Sequence, residues 1–105
     1  KVLKERGVDL IDVSSGGNIS GAKINVFPGY QVQFSNQIKH QSNVKTGTVG
    51  LITTLEQAEE ILQKDEADLI LLARKLLRSP YFVAESSWQN KEESYFPKQY
   101  ERGKI

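Results

Sequence analysis

The run Ala67-Asp68-Leu69-Ile70-Leu71-Leu72-Ala73 constrains the fold more than any other segment of the chain. It is apolar almost throughout, and a strand of that kind belongs inside a parallel sheet, covered on both faces. Ahead of it, Thr54 and Gln57 form a capping-box pattern, in which a hydroxyl and a side-chain amide satisfy N–H groups at a helix start. Leu55, Ala58, Ile61 and Leu62 line one face of that helix, while Glu60 and Lys64 pair on the other. Two more strands are predicted upstream. One spans 44–49 and closes at Gly50; the other spans 8–13 and is stopped by Ser14, Ser15, Gly16 and Gly17. Between them lies a polar loop, 18–30, whose length marks it as functional, then a helical pattern over 32–41 carried by Val32, Phe34 and Ile38. Downstream, 75–78 forms one helical turn. Ser79-Pro80 reads as an N-cap with proline at the first helical position, opening a helix that runs to about Trp88.

The order strand, loop, helix, strand, helix, strand, helix, tail implies parallel strands joined by right-handed crossovers. Three such strands alone would leave Leu69 to Leu72 poorly buried. A (β/α)8 TIM barrel takes ~250 residues. The expected fold class is therefore α/β, with these 105 residues forming the C-terminal part of a (β/α)8 TIM barrel, about strands 6–8 with their helices. The absence of Met from every position, the first included, agrees with a segment of a longer product. Residues 1–89 would supply the last three β/α units, and 90–105 a C-terminal tail, a candidate subunit-interface arm.

Charge and composition exclude several functions. With 14 Lys+Arg against 13 Asp+Glu, the net charge of +1 gives no phosphate-binding surplus, so neither a nucleic-acid partner nor a membrane-surface role is expected. No apolar run approaches the ~20 residues of a membrane span, and the start is no signal peptide. Zero Cys removes thiolate chemistry and disulfides and suits a reducing, cytoplasmic location. No ligand cluster suggests a metal.

The residues that could carry chemistry lie at predicted strand ends. In a barrel the site is built at the carboxyl ends, and a phosphate site frequently uses the last two βα loops. Gly50 and Ala73-Arg74 fall at two such ends. A glycine N–H can approach a phosphate closely, and Arg74 offers a fork of donors. The turn over 75–78 would aim its N–H groups at the same anion. A turn glycine and a surface arginine account for the same residues without a ligand. Ser14 and Ser15 could bond a polar ring or a ribityl chain, or simply complete their own turn. Asp9 and Asp12, three apart, fall on opposite strand faces and make no carboxylate pair. His40, the single histidine, reads as a solvated helix-end residue. Tyr95, Phe96, Tyr100 and Arg102 give the tail the residue types of an interface, or of a tail folded on its own barrel.

Several segments together resemble the old yellow enzyme family, in its bacterial NADPH dehydrogenase type. They are Val8 to Gly16, Pro28-Gly29-Tyr30-Gln31-Val32, Thr46 to Ile52, Ala67-Asp68-Leu69, Ala73 to Pro80 and Gln99-Tyr100-Glu101-Arg102-Gly103. The resemblance covers essentially the whole chain in order. It implies an FMN-dependent barrel enzyme that takes hydride from NADPH and passes it to an activated alkene such as an enone, with nitro compounds as further substrates. It further implies that Gly50, Ala73 and Arg74 hold the FMN phosphate, and that Ser14 lies near the flavin. Arg102 would be an arginine that reaches a neighbouring subunit's substrate site, in a homo-oligomer, a dimer or tetramer. Most relatives carry glycine where this chain has Ala73, and an aromatic where Lys104 stands. The family's histidine pair and proton-donating tyrosine lie upstream, so no catalytic residue is expected here, and the piece alone is expected to be inactive. A phosphate-binding barrel of the aldolase or isomerase type, or a non-catalytic binding fragment, are the alternatives.

Overall fold

A computed structural model describes residues 1–91 and 97–103. Tyr95, Phe96 and Lys104, singled out above, lie outside the described residues. The chain divides into two compact units, Lys1–Leu72 and Ala73–Ile105.

The first unit holds three parallel strands, β1 (Leu10–Val13), β2 (Lys45–Thr48) and β3 (Leu69–Ile70), in the order β1-β2-β3. Leu10 pairs with Lys45 and Val13 with Thr48; Gly47 pairs with Leu69 and Thr48 with Ile70. The strand expected over the apolar run is thus only two residues long. Its hydrogen bonding reaches further, because the Asp68 N–H donates to the Thr46 carbonyl and the Leu71 N–H to the Thr48 carbonyl, both at 2.8 Å. A short helix that periodicity did not reveal, α1 (Val2–Glu5), precedes β1 and buries no residue.

The connections are helices α2 (Val32–Ser42) and α3 (Leu55–Gln63). Thr54 caps α3 as expected, its Oγ1 accepting the Gln57 N–H at 3.1 Å. The return bond differs from a capping box. The Gln57 side chain accepts from the Thr53 N–H, one residue before the cap, and donates to the Leu51 carbonyl. Leu51 has φ +50. That turn draws its carbonyl within reach of Gln57, so the side chain fastens the loop after β2. Glu60 and Lys64 pair at 2.6 Å. In α2 the buried positions are Val32 and Ser35, while Phe34 stays exposed. Ser35 is small enough for α2 to lie close on β2: its hydroxyl donates to the Val32 and Glu66 carbonyls, and its own carbonyl accepts from Thr46 Oγ1. Asn43 ends α2 in the left-handed conformation that suits asparagine.

Val32 of α2, Ala58 and Ile61 of α3, and Ile52 and Ala67 form one core, with Ile70 and Leu72 packed against it. Both helices therefore cover the same face of the sheet. Residues on a strand alternate between faces, so Leu69 and Leu71 point the other way. A Cβ at Gly47 would meet Leu71 Cδ1 at 3.1 Å, which places Gly47 on that second face. Leu69 is 49% exposed there, as expected for three strands on their own.

The second unit contains α4 (Arg74–Arg78), α5 (Phe82–Gln89) and a 3-10 helix (Lys98–Gly103). The helix expected to open at Ser79-Pro80 begins later. Ser79 is the C-cap of α4, and its carbonyl accepts the Phe82 N–H in a tight turn, so Pro80 and Tyr81 span that turn. Tyr81 then stands at the N-cap of α5 without a side-chain cap bond. Lys75 Nζ lies 4.8 Å from the Phe82 ring centroid, a cation–π contact within the unit. Among the described residues no helix is long and apolar enough to cross a membrane.

Candidate functional site

Parallel strands in sequential order bring all their carboxyl ends to one edge of the sheet. In the first unit that edge carries Ser14 and Ser15 after β1, Val49 and Gly50 after β2, and Leu71 and Leu72 after β3. No carboxylate occurs in 13–17, 49–54 or 71–75, so these segments oppose no bound anion.

Gly50 has φ +120, a conformation that side chains rarely adopt. A Cβ there would lie 2.8 Å from Tyr30 Cε1 and 3.0 Å from Gln31 Nε2. Its carbonyl accepts the Gly29 N–H at 3.0 Å. Glycine is thus required by both backbone and space, and the segment 29–31 presses directly on it. Tyr30 in turn meets Phe27 edge-on, with ring centroids 6.3 Å apart. The loop 18–30 therefore ends in a turn that shapes the strand edge.

Ser14 and Ser15 are exposed. The Ser15 N–H does not complete its own turn; it donates to Gln31 Oε1, while Gln31 Nε2 donates to the Val49 carbonyl at 3.3 Å. Gln31 is 3% exposed. Periodicity could not single it out, since a lone glutamine ahead of a helix has no pattern of its own. The carboxyl edge of this unit thus presents serine hydroxyls and a glycine backbone, with no carboxylate among them.

In the second unit Ala73 is the N-cap of α4 and Arg74 its first residue, both exposed. Arg102 lies exposed in the 3-10 helix. Tyr81, Trp88, Pro97 and Tyr100 line an open groove of about 640 Å³ in this unit.

The opposite, amino-terminal edge of the first unit is ionic. Lys39 pairs with Asp65 and, at 3.0 Å, with Asp68, whose other oxygen accepts the Thr46 N–H at 2.9 Å. That backbone bond, helped by Lys39, holds the Asp68 carboxyl below its ordinary range against the opposing effect of burial. The Asp65 contact raises Lys39 above its ordinary value. His40 is exposed in the last turn of α2, with Nε2 2.9 Å from the Asp65 carbonyl. Asp9 and Asp12 are both exposed, Asp9 just outside β1. Among the described residues no group of three or more His, Cys, Asp or Glu could hold a metal ion.

Comparison with known proteins decides the family. The model of the NADH:flavin oxidoreductase / NADH oxidase family matches residues 1–93. The chain belongs to this family. An NADPH dehydrogenase of Bacillus velezensis is 55% identical over 102 residues, 97% of this chain and 30% of the relative. One from Bacillus subtilis is 53% identical over 103 residues, 98% of this chain and again 30% of the relative. The chain thus spans under a third of the length of these NADPH dehydrogenases.

Proposed function

We propose that the chain is the C-terminal part of an FMN-dependent NADPH dehydrogenase of the old yellow enzyme type, built on a (β/α)8 TIM barrel. The observation that carries this reading is the identity of more than half the residues with NADPH dehydrogenases across almost the whole chain. The sheet supports it. Sequential parallel strands with both crossover helices on one face, and an uncovered second face, are what an arc of such a barrel requires. In this reading the strands are about the sixth to eighth of the barrel, residues 1–89 are its last three β/α units, and 90–105 are an interface arm.

The Gly50 N–H, the backbone at Ala73 and the Arg74 guanidinium hold the FMN phosphate, and Ser14 lies beside the flavin. Arginine suits the phosphate because its planar fork engages two oxygens at once. When bound, FMN supplies the redox capacity that links NADPH oxidation to reduction of an activated alkene such as an enone, or of a nitro compound. The residues of this segment bind and orient; none moves a proton. Arg102 contacts substrate in a neighbouring subunit of a dimer or tetramer, and the protein works in the cytoplasm.

The test uses the full-length protein. It should purify yellow, with flavin absorbance, and Arg74→Ala should weaken FMN retention with little effect on folding. A colourless protein would favour the aldolase or isomerase type of barrel, and unchanged flavin affinity in Arg74→Ala would remove the phosphate site. Arg102→Ala should alter substrate affinity with FMN still bound.

A further inference from the structure

The parallel ladder between β1 and β2 has its last pair at Val13 and Thr48. Beyond it, the Ser15 N–H and the Val49 carbonyl do not bond one another. Gln31 meets both, accepting from the first through Oε1 and donating to the second through Nε2. A primary amide offers the same donor and acceptor as a peptide group. Gln31 therefore takes the place of a missing rung, inserted from the start of α2 between two strand ends. At 3% exposure it is shut off from water, so no solvent molecule readily replaces it.

The same residue bears on Gly50. Its Nε2 lies 3.0 Å from where a Cβ at Gly50 would stand, and the Gly29 N–H, two residues earlier, holds the Gly50 carbonyl. The turn 29–31 thus touches both backbone segments that carry Ser14 and Gly50. A hydrogen-bond cradle needs its donors set to within about half an ångström. Past the Val13–Thr48 pair, one side chain bonds to both of these segments.

We propose that Gln31 is a positioning residue that sets the spacing of the Ser14–Ser15 and Val49–Gly50 segments, and through it the affinity for the phosphate end of the flavin nucleotide. This rests on the reading that Gly50 meets the FMN phosphate.

The experiment compares FMN with riboflavin, which lacks the phosphate, binding the full-length apoprotein by quenching of flavin fluorescence. Wild type should prefer FMN. Gln31→Met, similar in length but without the amide, should weaken FMN about tenfold and riboflavin markedly less. Equal weakening of both flavins, or of neither, would overturn the positioning role. A wild-type protein that binds riboflavin as tightly as FMN would sink the phosphate site itself, and the Gln31 role with it. Should Gln31→Met fail to fold, amide exchange in the wild-type apoprotein decides: protection at Ser15 well above that at Ser14 is expected, and equal, unprotected exchange at both would overturn the rung.

Discussion

The two edges of one three-stranded sheet are built from different chemistry. At the amino edge, charged side chains do the joining: Lys39 bridges Asp65 and Asp68, and Asp68 also accepts the Thr46 N–H. At the carboxyl edge, neutral amides do it, Gln31 between the ends of β1 and β2 and Gln57 across the turn that follows β2. A carboxylate at the carboxyl edge would repel a bound phosphate, whereas a glutamine satisfies the same backbone groups without a net charge. Under the proposed function, the difference separates an edge that carries stability alone from one that also leaves a field open to an anion.

That contrast can be broken by substitution in the full-length protein. Gly50→Ala should have the largest effect. It forces a side chain into a φ of +120 and against Tyr30, at a cost of about 3 kcal/mol. Denaturant unfolding should register the loss of stability, and flavin fluorescence a parallel loss of FMN affinity.

Asp68→Asn, at the other edge, should cost roughly 1–3 kcal/mol, because a charged acceptor shared by Thr46 and Lys39 becomes neutral. FMN affinity should stay as in wild type; a loss there would erase the distinction between the edges. Acid titration sharpens the same point. The Asp68 carboxyl is held below its ordinary value of 3.8, so it stabilises the fold above that value, and its contribution is lost as pH falls through the lowered one. Stability measured from pH 5 downward should therefore fall less steeply in Asp68→Asn than in wild type. Lys39 is raised, so its contribution is complete below 10.5 and is lost only as pH climbs past that value.

Thr54→Ala should remove the cap of α3 for about 1 kcal/mol, seen as a lower unfolding midpoint. Glu60→Gln should be the smallest change. Their mutual contact lowers the Glu60 carboxyl and raises the Lys64 ammonium, but both are largely exposed and solvent screens them. No resolvable shift in melting temperature is expected.

Much of the fold was legible in the chain because it rests on local signals. Thr54 with Gln57 marked the start of α3, and the apolar spacing behind them marked its buried face, Ala58 and Ile61. The glycines after β1 and β2 marked where strands end. Other features were misread or missed where a competing contact won. Pro80 fits a helix start, yet the Ser79 carbonyl bonds Phe82 and delays α5. Ser35, polar by type, is fully buried because α2 lies close on Thr46. The candidate residues Ser14 and Gly50 could be named from their positions after strands, but the amide that joins their segments could not.

What the sequence alone determined is the order of the three strands with α2 and α3 between them, the cap of α3, the turns that end β1 and β2, and the segments that mark the family. These depend on side chains a few residues apart, whose spacing is written in the chain. Only the tertiary structure decided that both helices share one face, that Lys39 finds two acids 26 and 29 positions away, and that Gln31 joins Ser15 to Val49. Those contacts join residues far apart in the chain, and hydrogen-bond donors and acceptors select partners by distance in space, which residue spacing does not encode.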